Sequence, residues 1–155
     1  MKAEEIAALL TQEFGEKVLE SKSGVPVPWS VVDAGTILEA GRFLRSDARL
    51  LMDHLELLGG VDFKDRIEVV YVIYSMQHRH RYMLKCRLPR DAPKIQTVES
   101  IWSVANWHER ETYDMFGVVF EGHSDLRRIL CPDDWEGYPL RKDYKFPTSY
   151  RDMPV

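Results

Sequence analysis

Two consecutive segments constrain the fold more than any others. Residues 67–75 read IEVVYVIYS, apolar on both faces of an extended chain. A strand with no polar face belongs inside a sheet, not at its edge. Residues 80–88, HRYMLKCRL, alternate instead. His80, Tyr82, Leu84, Cys86 and Leu88 face one way; Arg81, Met83, Lys85 and Arg87 face the other. Met76, Gln77, His78 and Arg79 form a linker short enough for a hairpin. Strands are therefore predicted at 66–75 and 79–88, within a mixed or antiparallel sheet carrying helices on one face.

The flanking sequence fills in an α+β domain. Residues 2–14 place Ile6, Leu9, Leu10 and Phe14 at helical spacing, and Gly15 ends the run. A short strand at 16–20 and a second at 29–33, WSVVD, bracket a turn in which each proline pushes its predecessor out of the α region. Thr36 is placed to cap a helix to about Ser46, with Ile37, Leu38, Phe43 and Leu44 inward. One or two helical turns cover 47–53. HLELLGGVDF, from residue 54, reads as a strand broken or bulged at Gly59 and Gly60. Thr97 is placed to cap a helix of about 20 residues in which Ile101, Val104, Ala105, His108, Met115 and Phe116 keep a 3,4 spacing and Gly117 is the stop. Arg110 and Asp114 stand at i,i+4 and are expected to pair.

After Gly122 the periodicity disappears. Pro132, Pro139 and Pro147 break any helix, while Trp135, Tyr138, Tyr144, Phe146 and Tyr150 make the segment too aromatic for a disordered tail. The expected organisation is an α+β domain over 1–122 and an extended, partner-binding tail over 123–155. Such a tail is expected to extend away from the domain, with Arg141 as a charged anchor, since a guanidinium grips a carboxylate with two hydrogen bonds.

Charge and cysteine content exclude several functions. A net charge of −4 over 155 residues argues against a general nucleic-acid binder. No apolar run approaches the roughly 18–20 residues of a membrane span. The start, MKAEEIAALL, has acids at its head and no A-x-A site, so a signal peptide is not expected and the chain reads as cytoplasmic. Cys86 and Cys131 stand far apart with no C-x-x-C, too few thiolates for an iron–sulfur or zinc centre, and are expected to be reduced.

Three chemical readings compete with plain structure. His78 and His80 form an H-x-H whose rings share a face, but no third ligand is near in sequence, and a solvated hairpin end is the better reading. Glu109, Glu111 and Asp114 with His108 offer acid–base groups. Glu109 and Glu111 diverge by about 200° on a helix, however, and no nucleophile elbow or phosphate-cradling loop accompanies them. No catalytic residue, metal ligand or cofactor-binding residue is expected. For the tail, stacking on single-stranded nucleic acid is disfavoured by its balanced charge. Aromatic and arginine content also suits protein interfaces, and a tail merely packed on its own domain is an equal alternative.

Between residues 96 and 146 the sequence resembles a known family. Glu109-Arg110-Glu111, Asp114-Met115-Phe116-Gly117, then His123, Arg127, Ile129 and Leu130, and Pro139-Leu140-Arg141-Lys142-Asp143-Tyr144 resemble the motifs of the 30 kDa subunit family of respiratory complex I, NADH-quinone oxidoreductase.

The resemblance implies a peripheral-arm subunit at the cytoplasmic side of the inner membrane. It implies no cofactor in this chain, with FMN, iron–sulfur clusters and quinone held by partner subunits. The implied partners are the large quinone-site subunit of complex I and cluster-bearing neighbours in the peripheral arm. Members also occur in membrane-bound nickel–iron hydrogenases and in ferredoxin- or F420-linked complexes, which stand as the second reading; a stand-alone enzyme or metal protein stands third. Glu109, Arg110, Glu111, Asp114, Met115, Phe116, Gly117, His123, Arg127, Arg128, Trp135, Arg141, Lys142, Asp143 and Tyr144 are the expected interface and signature residues. Their charges are expected to be held by Arg127, Arg128 or partner arginines.

Overall fold

In chain order the computed structural model, which describes residues 1–154, contains α1 (Ala3–Phe14), β1 (Val18–Lys22), β2 (Trp29–Val32), α2 (Ile37–Ser46), β3 (His54–Asp62), β4 (Arg66–Tyr74), β5 (Arg81–Pro89), β6 (Lys94–Gln96), α3 (Ala105–Phe116), β7 (Val119–Glu121), β8 (Ser149–Tyr150) and β9 (Met153–Pro154). Five strands form one sheet in the order β1-β2-β5-β4-β3. Neighbours are antiparallel except β2 and β5, which run parallel, so the sheet is mixed. The expected strand pair occupies its middle, with β4 hydrogen-bonded on both sides.

Alternation then decides what is buried. Ile67, Val69, Tyr71 and Ile73 of β4 and Tyr82, Leu84, Cys86 and Leu88 of β5 share one face and are buried. Ile6 and Leu10 of α1 and Ile37, Ala40 and Leu44 of α2 belong to the same core. The other face of β4 is apolar too, yet it is less deeply covered. Val70, Val72 and Tyr74 are half-buried there beside Met83 and Lys85. Long side chains shield it in part: Lys85 Nζ lies 4.1 Å above the Trp29 ring.

Several boundaries differ from the sequence reading, each for a local reason. A 3-10 turn at Gly15–Lys17 delays the first strand to Val18. A second such turn, Ala34–Thr36, precedes α2; Asp33 caps it by accepting from Gly35 N, so Thr36 makes no side-chain cap. Strand β3 is unbroken at its glycines, and its bulge lies between Leu55 and Leu57. Gly60 instead admits the Phe116 ring: a Cβ there would stand 2.7 Å from Phe116 Cδ2. The third helix is shorter than predicted, because Val98–Trp102 forms a separate turn that accepts a side chain from α3.

The glycine pair supplies an internal control. β-branched residues suit strands, so Gly60→Val should lose stability through its collision with Phe116, by about 1–3 kcal/mol. Gly59 has no neighbour nearer to a Cβ than Leu57 Cδ2 at 3.9 Å, so Gly59→Val should be neutral or stabilising. Thermal unfolding of both variants checks this, and equal destabilisation would refute the close-approach explanation.

A candidate interaction surface on the third helix and the chain end

Helix α3 lies against strand β3. His108 Nδ1 accepts a hydrogen bond from Leu58 N at 3.1 Å, which gives a backbone amide of this edge strand a partner. His108 therefore serves the sheet edge and does not join the neighbouring carboxylates.

At the start of the helix, Glu109 turns inward. Its carboxylate accepts from Val98 N at 2.8 Å and from the Thr97 hydroxyl, and it is fully buried. This side chain ties down the preceding turn, which is why Thr97 bonds Glu109 and does not cap a longer helix. His123 packs beside the pair. Its Nε2 donates to Asn106 O at 3.0 Å and its Nδ1 accepts from Asp125 N at 2.9 Å, which fixes the Nε2–H tautomer. The same Nε2 lies 3.7 Å from Glu99 and 3.8 Å from Glu109. Burial pushes Glu109 up to about 7, against the lowering effect of its two donors, and the nearby Glu99 carboxylate adds to the rise.

At the end of the helix, Asp114 collects the chain beyond β7. It accepts backbone amides from Ile129, Leu130 and Cys131 at 2.7–3.0 Å and a guanidinium bond from Arg128 at 2.7 Å. Burial alone would raise this carboxyl; the three amides and Arg128 override it and hold it below the ordinary aspartate value. Arg128 continues to the carbonyls of Trp135 and Gly137. Asp114 thus pairs with Arg128, not with Arg110. Arg110 caps the carbonyls of Arg127 and Arg128 and lies 5.2 Å over the Trp107 ring. Arg127 turns outward to Asp125.

The closing motif is also bound to the body. Arg141 Nε donates to Phe116 O at 2.7 Å and stacks 5.0 Å over Tyr138. Tyr138 covers Gly117, whose φ of +75° and lack of a Cβ both permit the contact. Lys142 N donates to Asp62, which also receives Lys64 N and the Arg90 guanidinium. Burial would raise Asp62, but these donors hold it at about 2. Arg90 reaches on to Asp143 at 2.6 Å. Further along, Tyr144 donates to Glu136 O, and Trp135 packs on Tyr150. The segment after Gly122 is irregular up to the short β8–β9 pair, and residues 123–144 do not extend away from the domain. Buried carboxylates on α3 and β3 attract its amides and arginines.

The signature residues therefore divide. Glu109, Arg110, Asp114, Met115 and Gly117 are buried, and Phe116, His123, Arg128, Trp135, Arg141 and Tyr144 are half-buried. Glu111, Arg127, Lys142 and Asp143 are exposed. Asp62, Arg90 and Glu99 were not singled out from the sequence, and Tyr138 was named only among the aromatics of the chain end. Asp62 ends an apolar strand, a weak signal, and nothing local links Arg90 to residue 143. His78 and His80 stack 5.6 Å apart and donate to the carbonyls of Ala48 and Leu50, stapling the loop after α2. Among the described residues no group of three or more metal-ligating side chains comes together, and no helix is long and apolar enough to cross a membrane.

Two substitutions separate the two ends of the helix. Folded Glu109 keeps its proton to about pH 7, whereas the unfolded chain releases it near 4.5. Between those values the folded state binds more protons, so this residue makes stability fall as pH rises, by on the order of 3 kcal/mol. Glu109→Gln should flatten that decline in denaturant titrations from pH 4.5 to 7. Asp114 behaves oppositely: its contribution is present above 3.8 and is lost as pH drops through its lower folded value. Asp114→Ala strands Arg128 and should cost about 3–5 kcal/mol at neutral pH. A melting temperature within a degree of the parent would refute the clamp.

Comparison with known proteins identifies the family. The sequence pattern of the family described as "Respiratory-chain NADH dehydrogenase, 30 Kd subunit" matches residues 30–150. A NADH-quinone oxidoreductase subunit of Chloroherpeton thalassium is 43% identical over 150 residues, which is 95% of this chain and 62% of that protein. An F(420)H(2) dehydrogenase subunit of Methanosarcina mazei is 42% identical over 155 residues, 96% of each chain. Among solved structures, a chain of the membrane-bound sulfane sulfur reductase, an archaeal respiratory membrane complex, superposes with a TM-score of 0.74 at 28% identity, covering 92% of this chain and 85% of that one. The match to the family pattern covers both the helix motif and the closing motif, and on that ground the chain belongs to the 30 kDa subunit family of respiratory-chain NADH dehydrogenase.

Proposed function

We propose that the chain is the 30 kDa-family component of a proton-pumping NADH-quinone oxidoreductase, complex I, in which it scaffolds other subunits during NADH-to-quinone electron transfer. One observation carries the non-catalytic part of this reading. The buried ionisable groups of the signature, Glu109, Arg110 and Asp114, are all bonded to this chain's own backbone or side chains. A general acid or base needs a free face toward substrate, and these groups have none.

The same reading assigns FMN, iron–sulfur clusters and quinone to the partners. It places the chain against the large quinone-site subunit and cluster-bearing neighbours, peripheral on the cytoplasmic side of the inner membrane. Residues 123–155 serve as the partner-binding region, built on the 1–122 domain. Exposed Leu130, Leu140 and Phe146 in this segment, with Trp107 on α3, support this, since large apolar side chains left exposed suit interaction sites.

A second reading has its own support. The Methanosarcina relative matches over 96% of its length, and the solved relative with a TM-score of 0.74 comes from a different respiratory complex. The chain would then serve a hydrogenase-type or F420-linked assembly with the same scaffold role.

Native purification of the tagged chain from its own cells tests both. NADH-dependent quinone reduction by the assembly is expected, together with co-purifying subunits that carry flavin and iron–sulfur absorption. The chain expressed alone should bind no stoichiometric iron, zinc or flavin. Reduction driven by hydrogen or reduced F420, and not by NADH, would transfer the chain to the second reading.

A further inference from the structure

Glu111 is set apart from the other charged residues of its helix. Glu109, Arg110 and Asp114 are each bonded within the chain. Glu111 is exposed and makes no hydrogen bond or ion pair among the described residues. It stands at a groove of about 230 Å³ between α3 and β3, whose other walls include Leu57, Leu58, Met115, Phe116 and Leu140. Leu57 and Leu140 are 47% and 55% exposed, so the groove opens between two bare leucines. Glu111 is the one charged residue in its lining.

Size and charge together specify an occupant. The groove is smaller than the roughly 300–1,000 Å³ of small-molecule sites, and it suits one or two side chains. An apolar side chain seated there would strip water from Glu111. A desolvated carboxylate without a counter-charge is strongly unfavourable, so the occupant must carry a cation beside its apolar group. Neither cation next to Leu140 supplies one: Arg141 is held by Phe116 O and Tyr138, and the exposed Lys142 makes no ion pair with Glu111 among the described residues.

We propose that the α3–β3 groove and Glu111 form a docking site for a segment of a partner protein in the assembly that presents an aliphatic or aromatic side chain flanked by an arginine. The guanidinium fork matches a carboxylate with two hydrogen bonds, and an apolar anchor in a pocket beside it is the usual composition of an interface hot spot. This inference rests on the reading of the chain as an assembly subunit, and it adds the chemistry of one contact.

The test uses the full chain in its assembled complex, with p-benzoylphenylalanine in place of Leu140 as a photo-cross-linker. The expected product joins residue 140 to a segment of a different subunit that has an arginine within about four residues of the linked position. Glu111→Arg should lower the yield of that product about 30-fold or more, the effect of breaking a buried interfacial charge pair. Its melting temperature should be unchanged, since Glu111 has no partner in the free chain. Reversing the identified cation to glutamate should restore the product in the Glu111→Arg background. A cross-link to a segment without an arginine, a cross-link to a second copy of this chain, or a yield unaffected by Glu111→Arg would overturn the proposal. If the chain co-purifies with cluster-bearing subunits but gives no cross-link, the docking claim alone fails. If it co-purifies with no such subunit, the assembly reading fails and takes this one with it.

Discussion

One buried carboxylate organises the second half of this protein. Asp114 is removed from water on α3 and satisfied by three consecutive amides and a guanidinium from the chain beyond β7. An anion in that position is tolerable only when fully bonded, so the fold of the helix and the path of residues 128–131 are settled together. Arg128 then spans to the carbonyls of residues 135 and 137, and Arg141 reaches back to the last turn of the helix. The irregular chain end is ordered by these ionic contacts, without a helix or a core of its own.

Asp62 repeats the device at the end of β3, with Arg90 and the amides of Lys64 and Lys142 as donors. Glu109 does so at the start of α3, with donors too weak to offset its burial. The three acids differ in the balance of the same two effects. A guanidinium and several backbone amides together outweigh desolvation at Asp62 and Asp114; one amide and one hydroxyl do not at Glu109. For a subunit whose proposed role is to hold others in place, this concentrates polar, directional contacts under the surface proposed to face partners.

Much of the fold was legible because the period of two in residues 80–88 and the unbroken apolar run before it admit few arrangements. The second strand and its inward set Tyr82, Leu84, Cys86 and Leu88 follow from alternation, the first strand from the apolar run, and their pairing from the short linker. The sequence also marked the residues of the candidate surface, through the density of charge among large apolar side chains at 107–117. It misassigned their partners. An i,i+4 rule couples Arg110 to Asp114, but a buried aspartate prefers amides and an arginine that are already close, and these come from 14 to 17 residues away. The glycines of β3 signalled a bulge by local chemistry, whereas Gly60 is required by an aromatic ring from α3 and Gly59 has no such neighbour.

The sequence by itself determined the central strand pair, the helices on one face of the sheet, the loss of regular structure after Gly122 and the family of the chain. These depend on periodicity, on proline and glycine, and on motif spacing, all of which are local. Tertiary structure alone decided which acids are buried, that Arg128 serves Asp114, that Asp62 meets Arg90, that the chain end lies on the domain through residue 144, and that Glu111 is left without a partner over an open groove. The reason is physical: the cost of burying a charge and the donors that offset it depend on distances between segments far apart in the chain, and no local pattern encodes those distances.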